Sequence, residues 1–294
     1  MIAIDWGTSG FRAYRLTAEG AIADKRSAQL GILAVKDGKF AEALESQVGD
    51  WLETDEAPVV MSGMIGSRQG WKEAPYAKCP AGVKEIAAGM IEVRWRSSRA
   101  AWIVPGLSCR DPQGVPDVMR GEETQILGAL DHIVESPAWI CLPGTHSKWV
   151  RLESGKIMHF ATHMTGEVFA VMKAHSILGR TMAEAQPDPV AFQSGVLRAR
   201  SPGGLLHHLF GVRARVVSND LSEDDSAAYL SGLLVGHELA AIPRLTDVAY
   251  LLGTPELEHL YSEALKCYGI DTVSLDPDSA AAGLSKLARA LPRS

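Results

Sequence analysis

The chain has 294 residues, 46% of them hydrophobic, so it can bury a large core and by size favours two domains. Its net charge is −6, with Lys and Arg scattered rather than gathered into a basic block, which argues against nucleic acid and anionic membrane as partners. No apolar run approaches the ~20 residues of a bilayer span, and the first strand starts at Met1 without a charged leader, so a cytoplasmic location is expected.

In chain order, strands are expected over 1–5, 11–16 and 22–29. The first runs into Asp5-Trp6-Gly7-Thr8-Ser9-Gly10, and a similar turn, Pro143-Gly144-Thr145-His146-Ser147-Lys148-Trp149, recurs near the middle of the chain. At both, an apolar run meets Gly-Thr, a second extended run follows, and a glycine (Gly20, Gly155) closes the hairpin. Glycine lets backbone approach a phosphate, and Thr and Ser supply hydroxyl and N–H donors, so each turn can form a nest for anionic oxygens. Aligning the two Gly-Thr pairs sets Asp5 opposite Leu142, so only the first copy can hold a metal. Two such turns half a chain apart suggest a nucleotide held between two related halves.

A helix follows in which Phe40, Leu44, Val48, Trp51 and Leu52 share one face. A buried strand over 58–61 then delivers the glycine-spaced loop 62–71, at the strand end where open α/β sheets place ligands. A strand over 101–104 leads to Met119-Arg120-Gly121-Glu122-Glu123-Thr124-Gln125, where a helix is expected to start because acids suit its first turn. The first half closes at about 136, giving domains 1–136 and 137–294. In the second, helices are expected over 166–182, 189–200, 203–212 and 226–241. A strand over 248–252 ends in Gly253-Thr254-Pro255, and helix 256–268, strand 272–275 and helix 279–291 finish the chain. Strands alternating with helices in both halves indicate an α/β protein.

The chain has neither G-x-x-x-x-G-K-[ST] nor G-x-G-x-x-G, which disfavours P-loop and Rossmann sites. Cys79, Cys109, Cys141 and Cys267 are widely spaced and read as reduced packing residues, not metal ligands.

These motifs resemble those of the actin-like ATPases, a superfamily that includes sugar kinases. Asp5-Trp6-Gly7-Thr8 is similar to its first phosphate motif, Pro143 to Trp149 to its second, and Leu251-Leu252-Gly253-Thr254 to its adenosine motif. Within it the chain closely resembles the 2-dehydro-3-deoxygalactonokinase family, from Asp5 to about Leu287. The strings that carry the match include 62–71, Glu73-Ala74-Pro75-Tyr76, 104–108, 116–125, 142–150, Met164-Thr165-Gly166-Glu167, 175–180 and 229–234. Leu142 departs from the superfamily, whose second phosphate motif usually carries an acid, so no metal role is carried over there.

The resemblance implies two actin-like (ribonuclease H-like) domains, each a mixed sheet flanked by helices, with the active site in the interdomain cleft. It implies transfer of the ATP γ-phosphoryl group to the 6-hydroxyl of a 2-keto-3-deoxy sugar acid in galactonate catabolism. ATP and Mg²⁺ are the implied cofactors and the sugar acid the small-molecule partner; the residues fix no oligomeric state. Phosphoryl transfer needs positioning and charge neutralisation more than covalent work. Asp5 is the candidate Mg²⁺ partner, through water. Gly7, Thr8, Ser9, Gly144, Thr145 and Ser147 are expected to hold phosphate oxygens, with Gly253 and Thr254 at the adenosine. Lys148 either adds charge there or is a solvated hairpin lysine. The acceptor hydroxyl needs a base, and Glu122 or Glu123 is expected, with Asp117 as outside candidate. The acceptor's carboxylate calls for arginine, with Arg68 first and Arg12 and Arg120 behind it. Ser62, Gly63, Gln69 and Trp71 of the same loop as Arg68 are expected at the sugar. A sugar-sensing regulator on this fold would need a DNA-binding segment, and since the chain starts on its first strand and carries no basic helix, that reading is not expected. A phosphohydrolase, or a kinase of another sugar acid, is the remaining alternative.

Overall fold

The computed structural model describes residues 1–54, 58–95, 99–186, 188–243 and 245–291. Strand β1 (Ile2–Trp6) is buried at every position, which is why its sequence is apolar but for one acid, Asp5. It pairs antiparallel with β2 (Phe11–Leu16) and parallel with β4 (Val59–Ser62), a register that sets Asp5 between Arg12 and Ser62. With β3 (Ile22–Ala28), β6 (Ile91–Trp95) and β7 (Arg99–Ile103) they form a six-stranded sheet of order β3-β2-β1-β4-β7-β6. Helix α1 (Phe40–Thr54) buries the face that its spacing marks out, Phe40, Leu44, Val48, Trp51 and Leu52, on this sheet. Trp6 fixes the contact, edge-on to both Phe11 and Phe40.

Strands β5 (Tyr76–Lys78), β8 (Gly106–Arg110) and β9 (Pro116–Met119) form a small separate sheet, and α2 (Val83–Ala88) lies between β5 and β6. These elements and β6 were not expected from the sequence, being too short for periodicity to mark. Helix α3 (Glu122–Ala129) starts where its acidic first turn predicts.

The second sheet contains β10 (Ala138–Leu142), β11 (Ser147–Glu153), β12 (Lys156–His163), β13 (Val248–Leu251) and β14 (Asp271–Ser274). Its order, β12-β11-β10-β13-β14, repeats the first five positions of the large first sheet. Around it lie α4 (Thr165–His175), α5 (Pro189–Arg198), α6 (Gly204–Val217), α7 (Glu223–Ala241) and α8 (Pro255–Lys266). The single helix expected over 166–182 is broken at Ser176, whose backbone is extended. Its hydroxyl donates to Met172 O (2.6 Å) and accepts from Leu178 N (3.0 Å), and such local bonding competes with helix continuation. The helix expected to end at Val212 instead runs to Val217.

The chain divides into two compact units: Met1–Pro137 with Arg151–Phe160 and Leu275–Ser294, and Ala138–Val150 with Ala161–Ser274. The last helix, α9 (Ser279–Ala290), therefore joins the first unit. It lies so close to α3 that a Cβ on Gly283 would fall 1.8 Å from Thr124 O, so only glycine allows the approach that fixes α3. Both units are α/β, and the doubled sheet is that of the two-domain actin-like fold. Among the described residues no helix is long and apolar enough to cross a membrane.

Candidate active site

At the end of β1 the backbone reverses, with Gly7 N donating to Gly10 O at 2.9 Å. The turn is held from outside: Ile32 N donates to Gly7 O (3.0 Å) and Gly31 N to Ser9 O (3.1 Å), while Trp6 Nε1 donates to Leu30 O (2.7 Å). Thr8 and Ser9 are left exposed, on the wall of a cleft of about 610 Å³. Asp5, Gly7, Arg12, Gly63, Arg120 and Glu122 line the same cleft.

The Asp5 carboxylate is nearly buried and accepts from Arg12 Nη2 at 2.6 Å. Burial pushes its carboxyl above the ordinary range against the pull of Arg12, and the charge of Glu122 adds to the rise. Gly63, which follows β4, has φ of 90°, and a Cβ there would lie 2.7 Å from Trp6 O and 3.4 Å from Asp5 Oδ1. Glycine thus brings the β4 loop against the acid.

Glu122 and Glu123 open α3 and each takes a preceding N–H: Arg120 N donates to Glu122 Oε2 (3.0 Å), and Gly121 N to Glu123 Oε2 (2.7 Å). The resemblance between them ends there. Glu122 lines the cleft, whereas Glu123 is wholly buried, and burial, with Glu122 beside it, pushes its carboxyl up to about 8. At neutral pH Glu123 is therefore mostly protonated. Asp117 does not line the cleft.

Two carboxylates, Asp5 and Glu122, face this cleft, and no group of three or more His, Cys, Asp or Glu suited to a metal occurs among the described residues. That donor set fits Mg²⁺, which keeps its water and uses one or two carboxylates plus substrate phosphates in place of a protein cage.

The loop expected at the sugar contributes less than its motif suggests. Ser62 is buried, with its hydroxyl 3.5 Å from Ile4 O and accepting from Thr124 Oγ1 at 3.3 Å. Arg68 is 88% exposed and pairs with Glu73 at 3.1 Å. Gln69 is exposed, and Trp71 packs edge-on against Trp95. Only Gly63 of these five lines the cleft. Gln125, one helical turn after Glu122, also lines it, as does Gln29; the spacing of three from Glu122 could have marked Gln125.

The second turn is built differently. Ser147 is buried, its hydroxyl 3.4 Å from His163 O, and Lys148 is buried with Nζ donating to His146 O at 2.9 Å, which discards the solvated-lysine alternative. His146 Nε2 pairs with Glu167, and Glu167 N donates to Thr145 O at 3.0 Å. The start of α4 thus seats on the turn, which Gly166 permits because a Cβ there would be 2.6 Å from Gly144 O. Beneath it, the buried Glu238 carboxylate accepts from Trp149 Nε1 (2.7 Å), Tyr261 Oη (2.9 Å) and the Thr165 hydroxyl, tying β11, α8 and α4 to α7. Gly253 meets the turn at Pro143, where its Cβ would be 2.9 Å from Pro143 Cγ, and Thr254 caps α8. A cavity of about 500 Å³ lies among α4, α5, α7 and α8, with Phe169, Phe192, Leu257 and Leu260 among its walls.

The model of the 2-keto-3-deoxy-galactonokinase family matches residues 5–287. A Rhizobium meliloti (strain 1021) protein named a probable 2-dehydro-3-deoxygalactonokinase is 41% identical, over 98% of this chain and 96% of its own. The 2-dehydro-3-deoxygalactonokinase of Escherichia coli (strain K12) is 34% identical, over 99% of this chain and 98% of its own. A crystal structure from Sinorhizobium meliloti bearing the same designation superposes with a TM-score of 0.89 at 39% identity, covering 98% of each chain.

Proposed function

The chain belongs to the 2-keto-3-deoxy-galactonokinase family, and on that premise we propose that it transfers the γ-phosphoryl group of ATP to the 6-hydroxyl of 2-dehydro-3-deoxy-D-galactonate, in the cytoplasm. The observation that carries this reading for the site is that Asp5, Thr8, Ser9, Arg12 and Glu122 line one cleft. Thr8 and Ser9 donate to phosphate oxygens at the first turn, where Gly7 lets the backbone reverse, and Gly144 and Thr145 do so at the second, with Lys148 adding charge. The apolar cavity beside α8 suits the adenine ring.

Glu122 is the general base. It lines the cleft with Asp5, and it takes the proton of the acceptor hydroxyl as the oxygen attacks phosphorus. Glu123 serves instead to hold the Gly121 N–H and so the start of α3. Asp5 would hold Mg²⁺ through water, and the ion when bound neutralises charge on the phosphates. Arg12, bonded to Asp5, keeps that carboxylate oriented.

The test is ADP release from ATP with a panel of keto-deoxy sugar acids and neutral hexoses. Turnover on 2-dehydro-3-deoxy-galactonate should exceed that on glucose by ~10³-fold or more in kcat/KM, because a site built for a charged group leaves that charge unpaired with a neutral sugar. Equal rates on both would reject the assignment, and ADP release without any acceptor would favour a hydrolase.

A further inference from the structure

We propose that Arg120 is the residue that pairs the acceptor's carboxylate and thereby sets the preference for an acid over a neutral sugar; the inference rests on the kinase reading above. Sequence reasoning offers three arginines, and the structure separates them. Arg12 is already committed to Asp5 at 2.6 Å. Arg68 is 88% exposed and holds Glu73, so water screens it and nothing aims it at the cleft. Arg120 lines the cleft, and only part of its hydrogen-bonding capacity is met.

Its Nη2 donates to Ala74 O at 2.8 Å, and the guanidinium lies over the Tyr76 ring with its carbon 4.3 Å from the centroid. Those two contacts fix the plane of the group. Nε and Nη1 are buried and have no hydrogen-bond acceptor among the described residues. A cation shielded from water with unmet N–H groups is costly, and an anion that accepts from Nη1 relieves part of that cost by a charge-assisted hydrogen bond. The adjoining loop adds a second orphan. A Cβ on Gly66 would lie 2.9 Å from Arg120 Nη1, and the hydroxyl of the next residue, Ser67, is also buried without a partner. Three unmet donors thus lie on Arg120 and the adjoining loop, and no carboxylate among the described residues accepts from them.

The backbone connects this subsite to the chemistry. Arg120 N donates to Glu122 Oε2 at 3.0 Å, so the residue that would hold the acid end is bonded to the one that would deprotonate the hydroxyl. Shielding from water strengthens the pairing with an anion that arrives from the cleft. Lysine cannot reproduce it, having no planar fork.

The experiment compares wild type, Arg120→Ala and Arg120→Lys by ADP release, with 2-dehydro-3-deoxy-galactonate and with the analogue whose carboxylate is replaced by a carboxamide. In wild type the acid should be preferred by ~10²-fold or more in kcat/KM. Arg120→Ala should raise KM for the acid by about that factor, bring the acid-to-amide ratio near one, and leave KM for ATP within about twofold. Arg120→Lys keeps the charge and a stem that can pack on Tyr76, so it guards against misfolding in the alanine variant; its acid preference should fall by about tenfold. An unchanged acid-to-amide ratio in the lysine variant, or a rise in KM for ATP in place of that for the acid, overturns the role of Arg120. Failure of wild type to release ADP with the acid overturns the kinase reading itself, and so separates the two.

Discussion

The two Gly-Thr turns follow equivalent strands of a repeated sheet order, yet they are supported in opposite ways. The first is held from outside by the backbone of Leu30 to Ile32, leaving Thr8 and Ser9 exposed beside a strand-end acid, Asp5. In the second, Leu142 replaces the acid, Lys148 folds back onto His146 O, and a buried carboxylate, Glu238, braces the framework under it. On the proposed mechanism the same backbone device serves two tasks: where an acid ends the strand the turn shares in chemistry, and where a leucine does it only grips.

The sharpest way to break this division is at the base beside the first turn. Glu122→Gln should cost ~10² to 10⁴-fold in kcat with little change in KM for ATP, while Glu123→Gln should cost less than about tenfold. A larger loss from Glu123→Gln would reverse the assignment.

A smaller effect of different kind is expected at the second turn. Glu238→Ala strands three donors, on Trp149, Thr165 and Tyr261, and should raise KM for ATP by about tenfold while kcat changes little. Glu238→Gln should lie near wild type, because its carbonyl can accept from Trp149 while its amide donates to the two hydroxyls. A fall in kcat at unchanged KM in the alanine variant would show that the second turn does more than grip.

A last effect is on stability. Glu123 titrates at about 8 in the folded chain against an ordinary 4.5. Below about 4.5 it is protonated both folded and unfolded; between there and about 8 the unfolded chain ionises while the folded one does not. Its contribution to stability is thus present at low pH and lost as pH rises through 8. Denaturant melts should show Glu123→Gln gaining on wild type by on the order of a few kcal/mol from pH 5 to pH 9. A constant gap across that range would mean that Glu123 titrates normally.

Much of this was legible in the sequence where local pattern and burial coincide. The face of α1, the strand into Asp5 and the acidic start of α3 are all written in short-range spacing. The short strands β5, β6, β8 and β9 carry too few residues for a period to show, and α9 docks on α3 from the far end of the chain. The site divides along the same line. Glu122 and Glu123 are adjacent first-turn acids by sequence, and the turn at Gly121, with φ of 112°, directs one to the cleft and one inward. Arg68 and Arg120 are both loop arginines; the ring of Tyr76 and the carbonyl of Ala74 hold one of them in, and an exposed partner, Glu73, keeps the other out.

The central claim, that the first turn carries the chemistry and the second the grip, is tested most directly by single-turnover phosphoryl transfer in Asp5→Asn at saturating ATP and sugar acid, with ATP affinity measured on the same sample. Transfer should slow by ~100-fold or more with ATP affinity within a few-fold of wild type, consistent with loss of an electrostatic contribution made at the transition state. Transfer at the wild-type rate would remove Asp5 from the mechanism and contradict the account.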